Sequence, residues 1–170
     1  YSGDDVVGYV DAIAGKLRDA GVSEDAPVGL VARNRAPHAA AIVGLLSARR
    51  WVSMIYSFQS PDAIGRDIEK LGLAAVVADR EDWTPPVIAA AKCGGSAGVA
   101  VSLREPTVEL VAGLELVDDT RPHAQSDGAA GLHVLTSGTT GPPKRQAINA
   151  PVLERTVFSV TGGQALSGSL

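Results

Sequence analysis

The stretch from residue 136 to residue 145 is the part of the sequence best suited to chemistry, because it combines glycines, hydroxyl residues and basic side chains. Glycines allow the backbone to turn so that several N–H groups converge on one point, and such a nest binds anions. The hydroxyl groups add hydrogen-bond donors, and a lysine adds a mobile positive charge that suits phosphate. The pattern therefore predicts a phosphate-binding loop made of Thr136, Ser137, Gly138, Thr139, Thr140, Gly141 and Lys144.

This loop differs from the two commonest phosphate-binding motifs. A Walker loop ends in Gly-Lys followed by Ser or Thr, whereas Lys144 lies between Pro143 and Arg145. A dinucleotide-binding fingerprint requires the spacing Gly-x-Gly-x-x-Gly at the start of a helix, and the loop does not have it. The apolar residues Leu132, Val134 and Leu135 before the loop predict a buried strand that anchors it. A Gly- and Thr-rich surface turn between two strands is the alternative interpretation.

The nine residues Thr-Ser-Gly-Thr-Thr-Gly-Pro-Pro-Lys at positions 136–144 resemble the phosphate loop of the adenylate-forming superfamily. This superfamily includes acyl-CoA synthetases, nonribosomal-peptide adenylation domains and luciferases. The resemblance implies that residues 136–141 surround the β- and γ-phosphates of ATP. It also implies that Lys144 is a catalytic residue that stabilises the departing pyrophosphate. Family members usually have glycine after this lysine, so Arg145 departs from the pattern where the chain leaves the loop.

The activity that this resemblance implies is that of an ATP-dependent acyl-CoA synthetase of the fatty-acid–CoA ligase type. A carboxylate attacks the α-phosphate of Mg-ATP to give an acyl-adenylate and pyrophosphate, and the thiol of CoA then displaces AMP. The implied cofactors are ATP, Mg²⁺ and CoA, and the implied substrate is a small carboxylic acid. An acyl-AMP ligase or a carrier-protein-loading adenylation domain would share the first step. A non-catalytic relic that serves as a binding module is a further alternative.

The rest of the sequence predicts an α/β fold, a layered sheet flanked by helices. Val6, Val10, Ile13 and Leu17 follow one another at spacings of four, three and four, which places them on one face of a helix over residues 4–20. Further helices are predicted to begin near Pro37, where the residues are apolar on nearly every side and so buried, and at Ser60-Pro61. Helices that alternate with short apolar runs are typical of a mostly parallel sheet. The runs that predict strands are 28–32, 52–55, 74–78 and 99–103.

The order of these elements resembles the start of an acyl-CoA synthetase along almost the whole chain. Residues 1–170 are therefore interpreted as an incomplete AMP-binding domain, the N-terminal part of the adenylate-forming large domain. A polar linker at about 117–130 is predicted to lead into the phosphate loop at 136–145, and a short strand at 146–148 and a helix at 151–160 are predicted to follow. The adenine, Mg²⁺ and acyl sites of the family are expected beyond Leu170, so this chain alone is expected to be inactive.

Composition excludes several other functions. The net charge of −4 offers no basic surface to nucleic acid or to an anionic membrane. The single cysteine, Cys93, excludes an internal disulfide and suits a reducing compartment. The longest apolar stretch, residues 39–48, is about half of the roughly 20 residues needed to span a bilayer. We therefore expect a cytoplasmic enzyme without a transmembrane segment and without a nucleic-acid partner.

Isolated polar residues are interpreted as structural. His38, His123 and His133 are scattered and have no partner at a metal-ligand spacing, so no metal site is predicted from them. His133 lies in the strand before the loop and is interpreted as a packed or surface imidazole. Arg49 and Arg50 follow the buried helix, and we expect them to cap its carboxyl end.

Overall fold

Helices and strands alternate along most of the chain. The computed structural model describes residues 3–102, 107–124, 130–136, 144–153 and 155. A 3₁₀ turn at Arg80–Asp82 follows the third strand. The elements are α1 (Gly3–Asp19), β1 (Val28–Ala32), α2 (Ala36–Ser47), β2 (Trp51–Tyr56), α3 (Pro61–Leu71), β3 (Ala75–Asp79), α4 (Pro85–Gly94), β4 (Ala97–Val101), β5 (Val108–Leu110), β6 (Gly131–Thr136) and β7 (Lys144–Asn149).

The seven strands form one mixed sheet in the order β5-β4-β3-β1-β2-β6-β7. β4, β3, β1, β2 and β6 run parallel to one another, whereas β5 and β7 pair antiparallel at the two ends of this series. Parallel strands need crossover connections, and α2, α3 and α4 supply them from β1 to β2, from β2 to β3 and from β3 to β4. The prediction of an α/β fold with a mostly parallel sheet is confirmed.

Helices cover both faces of the sheet, and alternate strand residues fill two separate cores. Leu17 of α1 packs with Leu30 of β1 in the core that also contains α2. Val31, the next residue of β1, packs with Ile68 of α3 in the core that also contains α4. Because successive strand residues point to opposite faces, β1 is apolar throughout and buried on both sides.

Local sequence signals set the ends of several helices as predicted. The hydroxyl oxygen of Ser60 accepts a hydrogen bond from the backbone N–H of Ala63, and Pro61 occupies the first position of α3. α1 ends before Gly21, which has a φ of 74°. This left-handed conformation is one that glycine adopts without steric cost.

Some predicted boundaries and elements differ from the structure. α4 and β5 were not predicted, because α4 is short and rich in alanine and β5 has only three residues. β4 begins at Ala97, two residues before the predicted start. α2 is not buried all round, since Val43 is 56% exposed. Of the helix predicted at 151–160, residues 151–153 and 155 are described and are helical, and the remainder lies outside the described residues.

The described part of the predicted linker, residues 117–124 and 130, contains neither helix nor strand. Its backbone is nevertheless bound to turns that precede two strands. The N–H of Val117 donates to the carbonyl of Ala20 at 2.9 Å, and the N–H of Ala124 donates to the carbonyl of Gly72 at 2.7 Å. The segment therefore follows the edge of the sheet at which β1 and β3 begin.

The prediction that Arg49 and Arg50 cap the carboxyl end of α2 holds for their backbone N–H groups, whereas the side chain of Arg50 binds elsewhere. Backbone N–H groups of both residues satisfy the last carbonyls of the helix, those of Leu46 and Leu45. The buried guanidinium of Arg50 instead donates to the carbonyl oxygens of the loop before β1, and burial lowers the pKa of Arg50. The accepting residues are Val22, Ser23 and Ala26.

We expect Arg50→Ala to lower the free energy of unfolding by about 1–3 kcal/mol, because it leaves buried carbonyls without a donor. Arg18→Ala removes an exposed arginine from α1 and is the matched control, with an expected change within about 0.5 kcal/mol. Urea titrations of the two variants measure the difference. Equal unfolding midpoints would show that Arg50 does not stabilise this loop.

Candidate functional site

The carboxyl ends of the parallel strands meet at one edge of the sheet. β1, β2, β3 and β6 end there at Ala32, Tyr56, Asp79 and Thr136. In open α/β sheets, ligands bind in the crevice outside this edge. The predicted phosphate loop begins at Thr136 and therefore leaves the sheet on the side where a ligand is expected.

β6 and β7 form an antiparallel hairpin whose strands flank the predicted loop. The register pairs Thr136 with Lys144, and the hydroxyl of Thr136 donates to the backbone carbonyl of Lys144 at 3.0 Å. The first and the last of the predicted binding residues are thus neighbours at the neck of the loop. The predicted site residues Ser137, Gly138, Thr139, Thr140 and Gly141 lie outside the described residues.

The two basic residues at the start of β7 lie in different environments. Lys144 is exposed, whereas Arg145 is half-buried and pairs in regular register with Leu135. Arginine in place of the usual glycine of the family is therefore accommodated by an ordinary strand conformation. The guanidinium Nη1 of Arg145 donates to the carbonyl of Met54 at 2.7 Å, and its Nη2 lies 3.7 Å from the carboxylate of Asp67.

His133 is a packing residue of β6, as the sequence indicated. Its ring stacks on Trp51 with centroids 4.5 Å apart and planes 14° apart. Its Nδ1 shares a hydrogen bond of 3.1 Å with the hydroxyl of the buried Ser53. The close approach of Trp51 to β6 also requires a glycine at position 131, because a Cβ there would lie 2.5 Å from the indole.

A cluster of ion pairs at the same edge was not predicted. Arg33, which follows β1, forms two hydrogen bonds with the buried Asp82, of 2.8 and 2.6 Å. This contact raises the pKa of Arg33 and keeps it charged. Arg35 contacts Asp79 at 2.6 Å, and Glu81 contacts both arginines. The cluster therefore ties the loop after β1 to the turn after β3.

His38 is buried beneath this cluster in the first turn of α2. Its Nδ1 accepts a hydrogen bond from the backbone N–H of Arg33 at 3.0 Å. Its Nε2 lies 3.8 Å from the carboxylate of Asp79, too far for a hydrogen bond, and has no such partner among the described residues. Burial lowers the pKa of His38, so the imidazole is neutral at pH 7.

The sequence did carry a signal for this cluster. Charged residues lie at the ends of two apolar runs, with Arg33 just after β1 and Asp79 at the end of β3. What the sequence did not show is that β1 and β3 are neighbours in the sheet. The carboxyl ends of neighbouring parallel strands bring such residues within contact distance.

Among the described residues of the predicted loop, the exposed ammonium of Lys144 is the group that can meet a phosphate oxygen, because the hydroxyl of Thr136 already donates to the carbonyl of Lys144. Within the described ranges, no three His, Cys, Asp or Glu side chains are grouped so as to hold a metal ion. Mg²⁺ is commonly held by substrate phosphates and water, which requires no such group.

No helix in the described part of the chain is long and apolar enough to cross a membrane.

The sequence matches the family of AMP-binding enzymes over residues 1–163. Since the match covers most of the chain, the chain belongs to this family. No curated protein matches the sequence closely enough to serve as a relative.

Solved structures of adenylate-forming enzymes share the fold. ATP-bound MatB from Rhodopseudomonas palustris superposes with a TM-score of 0.70 at 16% identity, over 92% of this chain and 31% of that one. The O-succinylbenzoate Coenzyme A synthetase MenE from Bacillus subtilis, in complex with AMP, superposes with a TM-score of 0.55 at 14% identity, over 96% of this chain and 39% of that one. A malonyl-CoA ligase with methylmalonyl-CoA and AMP bound superposes with a TM-score of 0.55 at 21% identity, over 93% of this chain and 29% of that one. The chain thus spans about a third of the length of these structures.

We expect the stability of the protein to fall in mild acid because of His38. Its pKa is lower in the folded than in the unfolded protein, so the unfolded chain binds more protons once the pH falls below about 6.5. This residue can lower the free energy of unfolding by at most about 1.4 kcal/mol per pH unit. His38→Gln retains an acceptor for the Arg33 N–H and should flatten the decline between pH 7 and pH 5. Urea titrations between pH 7 and pH 5 measure the free energy of unfolding. An equal decline in the wild type and in His38→Gln would contradict the role given to His38.

Proposed function

We propose that this chain is the N-terminal part of an ATP-dependent acyl-CoA synthetase, an acid–thiol ligase that acts on a small carboxylic acid in the cytoplasm. Its membership of the AMP-binding family supports an adenylate-forming reaction. The observation that carries the proposal is the β6–β7 hairpin. It places Thr136 beside Lys144 at the carboxyl edge of the sheet, with the sequence of the phosphate loop between them.

The reaction has two balanced steps. A carboxylate oxygen attacks the α-phosphorus of ATP, and the bond to the β-phosphate breaks, which releases pyrophosphate and leaves an acyl-adenylate. The thiolate of CoA then attacks the acyl carbon, and AMP leaves as the thioester forms. Both steps develop negative charge on oxygen, so the protein contributes mainly through positioned donors and positive charge.

Residues 136–141 are assigned to the phosphates of ATP. Backbone N–H groups and the hydroxyls of Ser137, Thr139 and Thr140 would donate to the β- and γ-phosphate oxygens. Thr136 already donates its proton to the carbonyl of Lys144, so its side chain closes the neck of the loop. The ammonium of Lys144, which is exposed at the start of β7, would neutralise the departing pyrophosphate. Mg²⁺ bound to the phosphates would supply further charge neutralisation.

CoA is proposed as the acceptor because two of the solved structures with this fold are CoA ligases by name. An acyl-AMP ligase or a carrier-protein-loading domain would make the same adenylate and transfer it to a different thiol. A non-catalytic relic is disfavoured, since a binding module has no physical need for both a glycine-rich nest and a lysine. Assays of the full-length enzyme with a panel of carboxylic acids separate these alternatives. Pyrophosphate exchange reports the adenylate, and thioester formation with free CoA reports the acceptor.

Lys144→Ala in the full-length enzyme should slow ATP–pyrophosphate exchange by a factor on the order of 10² to 10³. Loss of one positioned donor to a developing oxyanion typically costs about 2.7–4 kcal/mol in the transition state. Lys92→Ala removes an exposed lysine from α4 and is the matched control, with an expected rate equal to that of the wild type. An unchanged rate in Lys144→Ala would remove this residue from the mechanism.

Residues 1–170 alone should bind ATP weakly, with a Kd on the order of millimolar, about 4 kcal/mol of binding free energy. A net charge of −4 gives no long-range attraction for a triphosphate. Without a bound acyl group, the attacking carboxylate is not held near the α-phosphate, so the rate advantage of positioning is absent. Pyrophosphate release with ATP, Mg²⁺ and carboxylic acids is the measurement. Turnover above background would show that the chain is a complete small enzyme.

A further inference from the structure

The side chain of Arg145 contacts elements other than β6, the strand with which β7 pairs. β7 pairs with β6 at the end of the sheet, yet the guanidinium of Arg145 reaches past β6 to the carbonyl of Met54 in β2, at 2.7 Å. Its side chain is only 20% exposed. Successive strand residues point to opposite faces, so this side chain leaves the sheet on the face opposite to Lys144.

A second hydrogen bond reinforces this connection. The hydroxyl of Tyr56 in β2 donates to the carbonyl of Leu135 in β6 at 2.7 Å. Leu135 is the register partner of Arg145, and the two residues lie one step below the Thr136–Lys144 pair. Both strands of the hairpin are therefore fastened to the end of β2 just below the loop.

The charge of Arg145 is balanced by α3. The carboxylate of Asp67 lies 3.7 Å from Nη2 of Arg145 and also accepts a hydrogen bond from the side-chain amide of Gln59 at 3.3 Å. Burial lowers the pKa of Arg145, because the guanidinium loses part of its hydration at this position. A half-buried cation held by a carbonyl and a carboxylate on two other elements fixes the position of β7 relative to both.

We infer that Arg145 is a positioning residue for Lys144, which acts by holding the start of β7 against β2 and α3. The inference rests on the proposed function, because the position of Lys144 affects the rate only if this lysine meets the phosphates of ATP. In this inference Arg145 acts through β7, by setting the position from which Lys144 approaches the phosphates. Small displacements of such groups have large effects on rate, since reacting groups must be held within a narrow range of distances.

The test compares Arg145→Ala, Arg145→Lys and Arg66→Ala in the full-length enzyme. Arg145→Ala should lower kcat for ATP–pyrophosphate exchange by a factor on the order of 10 to 10² and raise KM for ATP, with KM for the carboxylic acid unchanged. Arg145→Lys should recover part of the loss, because an ammonium can still donate to the Met54 carbonyl. Arg66→Ala removes an exposed arginine from α3 and should match the wild type.

Hydrogen exchange of the same variants separates this inference from the proposed function. The amides of β6 and β7 should exchange faster in Arg145→Ala than in Arg66→Ala, whether or not the enzyme is active. Unchanged exchange would overturn the anchoring itself. An active wild type with identical kcat and KM values in Arg145→Ala would overturn the positioning role and leave the proposed function standing. A wild type that neither catalyses exchange nor binds ATP would overturn both.

Discussion

The parallel pairing of β6 with β2 is the constraint on which the candidate site depends. These strands are far apart in the sequence, and their register places Trp51 beside Gly131 and Ser53 beside His133. The parallel direction makes β6 end at the same edge as β1, β2 and β3. With the opposite direction, the loop after Thr136 would lie at the other end of the sheet, away from the crevice where α/β folds bind ligands.

The half-buried arginines Arg33 and Arg145 close to this edge each meet oxygen partners. Arg33 is matched by Asp82 in two hydrogen bonds, and Arg145 by a carbonyl and a carboxylate. Removing one partner of such a pair would leave the other charge in a partly buried site without compensation, which is costly. These contacts tie the loop after β1 to the turn after β3, and β7 to β2 and α3, whereas Lys144 is exposed.

The sequence was sufficient for the features that depend on local patterns. Apolar runs predicted β1, β2 and β3, because strands buried on both faces are almost wholly apolar. An apolar run also predicted β6, but this strand was expected to be buried and is only half-buried after Gly131. The loop was identified from residue types whose chemistry is local. The ion-pair cluster and the contacts of Arg50 and Arg145 were missed because each joins residues whose proximity comes from strand order, which no local pattern specifies. α4 was missed because a short alanine-rich helix has little amphipathic contrast.

The close packing around Gly131 limits which residues can replace this glycine. A side chain there would meet the indole of Trp51 and also the main-chain carbonyl of Ile148, only 2.6 Å from the position of a Cβ. A neighbouring side chain can be exchanged for a smaller one, but a main-chain carbonyl is present whatever residue occupies position 148. Divergence at Trp51 therefore does not free position 131. Descendants of this sequence that keep β7 paired with β6 must keep this glycine, whereas its replacement requires loss of the hairpin together with a smaller residue at position 51.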